Sequence, residues 1–117
     1  MNALGKQILL ELKDCKRETL DDLKFLQDAL VSAAEKAGAT VLGEHFHQFA
    51  PQGVSGAVII AESHFALHTW PEYGYAAVDI FTCGDSVNPE VAVELLIKTL
   101  ESKDPTVMEL KRGVLVS

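Results

Sequence analysis

The chain has 117 residues, 17 of them acidic and 10 basic, and carries a net charge of −7 with its four histidines neutral. That length supports one domain with one modest core, and 48% hydrophobic residues place it among globular rather than disordered chains. The negative sign repels a phosphate backbone, which argues against a nucleic-acid partner. No apolar run approaches the roughly 20 residues that span a bilayer, and the opening Met1-Asn2-Ala3-Leu4-Gly5-Lys6 lacks a signal-peptide pattern, so a cytoplasmic location with no membrane contact is expected. Cys15 and Cys83 form neither a CxxC pair nor a disulfide framework, and both are expected as free thiols.

From Gly5 to Cys15 the apolar residues Ile8, Leu10 and Leu12 alternate closer to period two than to 3.6, which predicts a strand. Thr19 stands three residues before Asp22 in a capping-box-like start. Leu20, Leu23, Leu26, Leu30, Ala33, Ala34 and Ala37 then recur at helical spacing until Gly38, predicting an amphipathic helix. The segments 40–50, 54–61, 65–70 and 75–83 are rich in β-branched and aromatic residues and read as strands. Pro51-Gln52-Gly53 suits a turn between directly pairing strands, and Pro71-Glu72-Tyr73-Gly74 a longer, more structured one. Asn88-Pro89 opens a second helix that runs to about Glu101, and Val107, Met108 and Leu110 give a short last strand.

This order predicts an α+β fold, a two-layer sandwich of a mostly antiparallel sheet with two helices on one face. The other face needs cover, and a second copy would supply it in a symmetric homodimer.

Reactive residue types concentrate between Glu62 and Cys83, which hold two of the four histidines, the only tryptophan, both tyrosines and three acidic residues. His45 and His47 share one face of a predicted strand, but without a third spaced ligand they make a weak metal pair, and no metal is expected. Ser63, His68 and Asp79 can be assembled as a triad on paper, yet no G-x-S-x-G elbow surrounds Ser63. Cys15 reads as a core residue.

The run Glu62-Ser63-His64, then His68-Thr69-Trp70-Pro71-Glu72-Tyr73-Gly74-Tyr75 and Asp79-Ile80-Phe81-Thr82-Cys83-Gly84, resembles the short prokaryotic form of the S-adenosylmethionine decarboxylase proenzymes. Phe49, the Pro51–Gly56 turn, the Gly38-Ala39 helix end and the opening strand with Glu11 fit in order, so the resemblance spans nearly the whole chain.

It implies a single domain, residues 1–117, that cuts itself between Glu62 and Ser63 into a β chain of residues 1–62 and an α chain of residues 63–117, with Ser63 becoming a pyruvoyl group. That ketone is the cofactor, an electron sink for decarboxylation of S-adenosylmethionine, whose product is the aminopropyl donor for spermidine synthesis. The resemblance implies that Ser55 and His68 assist processing and that Cys83 donates the proton that replaces carbon dioxide. It also implies that Phe49 stacks on adenine and Glu72 binds the ribose hydroxyls, with Trp70 and Leu4 as pocket walls.

In such proteins the sites lie between subunits, so the sheets of two copies are expected to pack face to face in an αββα dimer. Lys6-Gln7 replaces the arginine-histidine pair of many members. The alternatives are a pyruvoyl-dependent arginine or ornithine decarboxylase, or a silent homologue that never cleaves. The negative charge suits a cationic substrate.

Overall fold

The computed structural model describes residues 3–115. Its elements, in chain order, are β1 (Ala3–Lys13), α1 (Leu23–Lys36), β2 (Val41–Gln48), β3 (Val54–Ile60), β4 (Ser63–Trp70), β5 (Tyr75–Cys83), α2 (Pro89–Thr99) and β6 (Asp104–Val114). Single turns of 3-10 helix cover Glu18–Asp21 and Pro71–Tyr73.

The strands form one six-stranded sheet in the order β2-β3-β4-β5-β1-β6, and every pairing is antiparallel. β1 therefore lies between β5 and β6, far from its sequence neighbours. Residues paired across a sheet share a face, so the row Phe46–Gly56–Leu67–Val78–Leu10 turns one way and the row His47–Ser55–His68–Ala77–Glu11 the other.

The first face meets the two helices. Leu10, Leu12, Phe65, Leu67 and Ile80 pack there with Leu26 and Leu30 of α1 and Leu96 of α2, all of them buried. Each such side chain contributes about 1.5–3 kcal/mol relative to exposure, which makes this layer the core. The opposite face has no helix. It carries Leu9, Ile59, His64, Phe81 and Met108, and Ile59 is 50% exposed.

Two boundaries differ from expectation. Thr19 does not cap a helix: its hydroxyl donates to the Lys16 carbonyl at 3.1 Å, inside the 3-10 turn. Asp22 is the cap, with extended backbone and a carboxylate that accepts the Phe25 N–H at 3.1 Å. The last strand is longer than Val107–Leu110, because ladder bonds to β1 run from Lys13–Asp104 to Ala3–Val114. The turn readings agree with the structure: β2 and β3 pair directly across Pro51–Gly53, and Gly74 closes the Pro71–Tyr73 turn in the left-handed region at φ +61°.

Candidate functional site

Ser63 opens β4 after a two-residue turn, Ala61-Glu62. This turn is gripped from one side by Thr40, whose carbonyl accepts the Ala61 N–H at 2.9 Å and whose N–H donates to the Glu62 carboxylate at 3.2 Å. From the other side, the backbone N–H of Cys83 donates to the Glu62 carbonyl at 2.8 Å. Pinned at both flanks, the chain passes through Ser63 at φ +144°, a conformation that side chains other than glycine's rarely take. Such a residue stores about 1–3 kcal/mol.

The strained residue thus carries a hydroxyl, and the carbonyl just before it is polarised by an amide. Cys83 itself is exposed at the end of β5. Gly5 of β1 pairs with it, and the pocket-wall candidate Leu4, 64% exposed, sits at this end against Gly113. Cys15 differs: it is buried, its thiol reaches the Leu12 carbonyl at 3.4 Å, and burial pushes that thiol's pKa up.

At the other end of β4, Ser55 Oγ and His68 Nδ1 lie 2.7 Å apart across the β3–β4 ladder. Beside them Phe49, Trp70 and Glu72 line a cavity of about 290 Å³. Phe49 is 47% exposed and meets the His47 ring edge-on at 4.6 Å. Trp70 is exposed rather than core, its ring 5.4 Å from that of Tyr75. Tyr75 donates to the Glu11 carboxylate at 2.5 Å, and burial, reinforced by that carboxylate, pushes its phenol up to about 12.

The expected side chains therefore fall into two groups. Ser63, Glu62, Cys83 and Leu4 share one end of the sheet, and Ser55, His68, Phe49, Trp70 and Glu72 the other. Five residue steps of extended strand separate Ser63 from His68, about 17 Å at roughly 3.4 Å per step. The paper triad with Asp79 is accordingly not assembled within the chain. His45 and His47 do share a face of edge strand β2, but among the described residues no three metal-ligating side chains cluster.

A cavity of about 380 Å³ beside the first turn of α2, bridged by the 3.2 Å Lys6–Glu90 ion pair, holds none of the expected side chains. The sequence reading missed the Cys83 amide and the Thr40 grip, since backbone groups leave no residue-type signal.

The family profile described as S-adenosylmethionine decarboxylase matches residues 6–113. An S-adenosylmethionine decarboxylase proenzyme of Thermodesulfovibrio yellowstonii is 52% identical over 98% of this chain and 85% of its own length. One from Caldanaerobacter subterraneus subsp. tengcongensis is 53% identical over 97% and 92%. The crystal structure of the adenosylmethionine decarboxylase from Aquifex aeolicus superposes with a TM-score of 0.92 at 34% identity, covering 99% of this chain and 96% of that one. A Trypanosoma brucei AdoMetDC monomer shares the fold, with a TM-score of 0.67 at 13% identity over 89% of this chain and 45% of the longer one. A profile match along almost the full chain and relatives at half identity decide the assignment: this chain belongs to the S-adenosylmethionine decarboxylase family.

Proposed function

We propose that the chain is a pyruvoyl-dependent decarboxylase that breaks its own backbone between Glu62 and Ser63 and acts on S-adenosylmethionine. The observation that carries this reading is Ser63 at φ +144° directly after a carbonyl that accepts the Cys83 N–H at 2.8 Å. Attack of Ser63 Oγ on that carbonyl carbon forms an ester as the peptide C–N bond breaks, and the strain at Ser63 is released in the same step. The Cys83 amide stabilises the oxyanion that builds up on the Glu62 oxygen. Removal of the Ser63 α-proton then expels Glu62 as a carboxylate and leaves a dehydroalanine, whose imine tautomer takes up one water and releases ammonia, so that a ketone with the water's oxygen stands at position 63.

The family depends on a pyruvoyl group made from a serine, and a strained serine beside a polarised carbonyl fits that origin. When formed, the group supplies a ketone that accepts the electron pair released with carbon dioxide. The side chains do the rest. His68, held by Ser55 at 2.7 Å, moves protons during processing. The Cys83 thiol returns a proton to the former α-carbon, a role its exposure allows and the burial of Cys15 forbids. Phe49 offers a face to the purine and Glu72 a carboxylate to the vicinal hydroxyls.

The two groups of residues, about 17 Å apart on one sheet, assemble in a homodimer. Packing the helix-free faces of two copies about a twofold axis sets the Ser63 end of one against the His68 end of its partner, in αββα order. This buries Ile59, Phe81 and Met108.

Denaturing mass spectrometry tests the reading. The purified protein is expected as chains of residues 1–62 and 63–117, and the Ser63→Ala variant as one intact chain. Borohydride with substrate should then tag the new amino terminus, and carboxyl-labelled S-adenosylmethionine should release carbon dioxide. Release from arginine or ornithine alone would overturn the substrate assignment.

A further inference from the structure

The loop that carries Phe49 follows the last rung of an edge strand. β2 ends at Gln48 and has only β3 beside it, so anything that fixes the outer side of the loop has to come from elsewhere in the chain. It comes from the 3-10 turn Glu18–Asp21. Asp21 Oδ1 accepts two hydrogen bonds at 2.8 Å, from the Gly53 backbone N–H and from the Gln48 side-chain amide. The same Gln48 amide donates to the Gly53 carbonyl at 3.0 Å, and that carbonyl also accepts the Phe49 N–H at 2.8 Å. One carboxylate thus closes a ring of hydrogen bonds around residues 48–53.

The preceding residue grips the opposite wall. The Leu20 carbonyl accepts from Thr69 Oγ1 at 2.7 Å, and Thr69 Oγ1 in turn accepts the Val54 N–H at 2.9 Å. Thr69 is buried between His68 and Trp70. Two successive residues of one turn therefore tie both sides of the cavity. Asp21 is itself exposed and has no ion pair among the described residues, so neither core packing nor charge pairing accounts for it.

We propose that Asp21 is a positioning residue for nucleoside recognition, its carboxylate fixing the Phe49–Gly53 loop so that the Phe49 ring stands where the face of a purine arrives. The inference rests on the reading of Phe49 as that platform. Asp21 touches no reacting atom, and its hydrogen bonds go to Gln48 and Gly53 rather than to the Ser55–His68 pair, so its loss weakens the hold on the adenine half of a ligand and leaves backbone cleavage intact.

Two partial ligands separate the halves. 5′-Methylthioadenosine has the nucleoside but no amino acid, and S-methylmethionine has the sulfonium amino acid but no nucleoside. Their dissociation constants are measured by calorimetry on the processed wild-type protein and on Asp21→Ala, Asp21→Asn and Phe49→Ala variants. Asp21→Ala is expected to weaken 5′-methylthioadenosine about tenfold while S-methylmethionine changes by less than about twofold, and Asp21→Asn, which keeps one acceptor oxygen, falls between. Equal weakening of both ligands, or failure to cleave, marks a general structural role and overturns the proposal. If Phe49→Ala weakens the nucleoside and neither Asp21 variant does, the inference fails and the platform stands. If no variant weakens it, both fail. Should Asp21→Ala not fold, Asp21→Asn carries the comparison.

Discussion

The two ends of β4 are built on opposite principles. At Ser63 the backbone is forced to φ +144° by grips from Thr40 and Cys83, and the atoms around it are mainly backbone donors and acceptors. At His68 the backbone is ordinary ladder, and the content lies in side chains: an imidazole paired with a hydroxyl, two aromatic rings and a carboxylate around a cavity. On the proposed reading, one end stores energy where a bond is to break, and the other presents shape and charge where a ligand is to rest. A single sheet holds them about 17 Å apart, and the proposed homodimer is what would bring one end to the other.

The sharpest way to break that comparison is to put the two ends on different molecules. Chains with His68→Ala and chains with Ser63→Ala, distinguished by a mass tag, are each expected to stay whole when expressed alone. Expressed together, the His68→Ala chain should be cut, since its Ser63 meets an intact His68 on the partner; no cut chain in the mixture would mean that each molecule processes itself.

A smaller effect separates backbone from side chain at the Ser63 end. Cys83→Ala keeps the amide on the Glu62 carbonyl, so two chains should still appear, while carbon dioxide release falls about a hundredfold or more with the proton donor gone. Cys15→Ala is the control and should leave the rate within about twofold, as expected for a buried thiol outside the chemistry.

Next comes the ladder itself. A Cβ on Gly56 would stand 2.0 Å from the Phe46 ring, so Gly56→Ala is expected to cost about 1–3 kcal/mol of stability in urea unfolding. The smallest effect is at Tyr75. Its phenol is raised from 10.0 to about 12, by burial first and Glu11 second, so the fold prefers the protonated form. That contribution is complete below pH 10 and is lost as the pH rises through about 12. In Tyr75→Phe the urea midpoint should vary less across that window.

The sequence made the layers legible because burial has a period. Ile8, Leu10 and Leu12 alternate on a half-buried strand, and Leu26, Leu30, Ala33 and Ala34 follow a helical stripe. β6 escaped in part because an edge strand exposed along its whole length leaves no such pattern, and Pro105 inside it argues for a turn. Asp22 was read as the distal half of a capping box when it is the cap, a shift set by the 3-10 turn before it. Of the site, the residue types were legible from their motif. Asp21 was not, because its partners lie 27 and 32 positions away.

The place of β1 in the sheet has one more consequence. A cut after Glu62 would leave β1, β2 and β3 on one piece and β4, β5 and β6 on the other, with β1 clasped between two strands of its counterpart. The halves would be interleaved along three seams, so severing the covalent link would not let them drift apart. Neither fragment could acquire the arrangement alone, which dictates a sequence of events: the polypeptide must reach its final shape first, and the nick that creates the working enzyme comes afterwards.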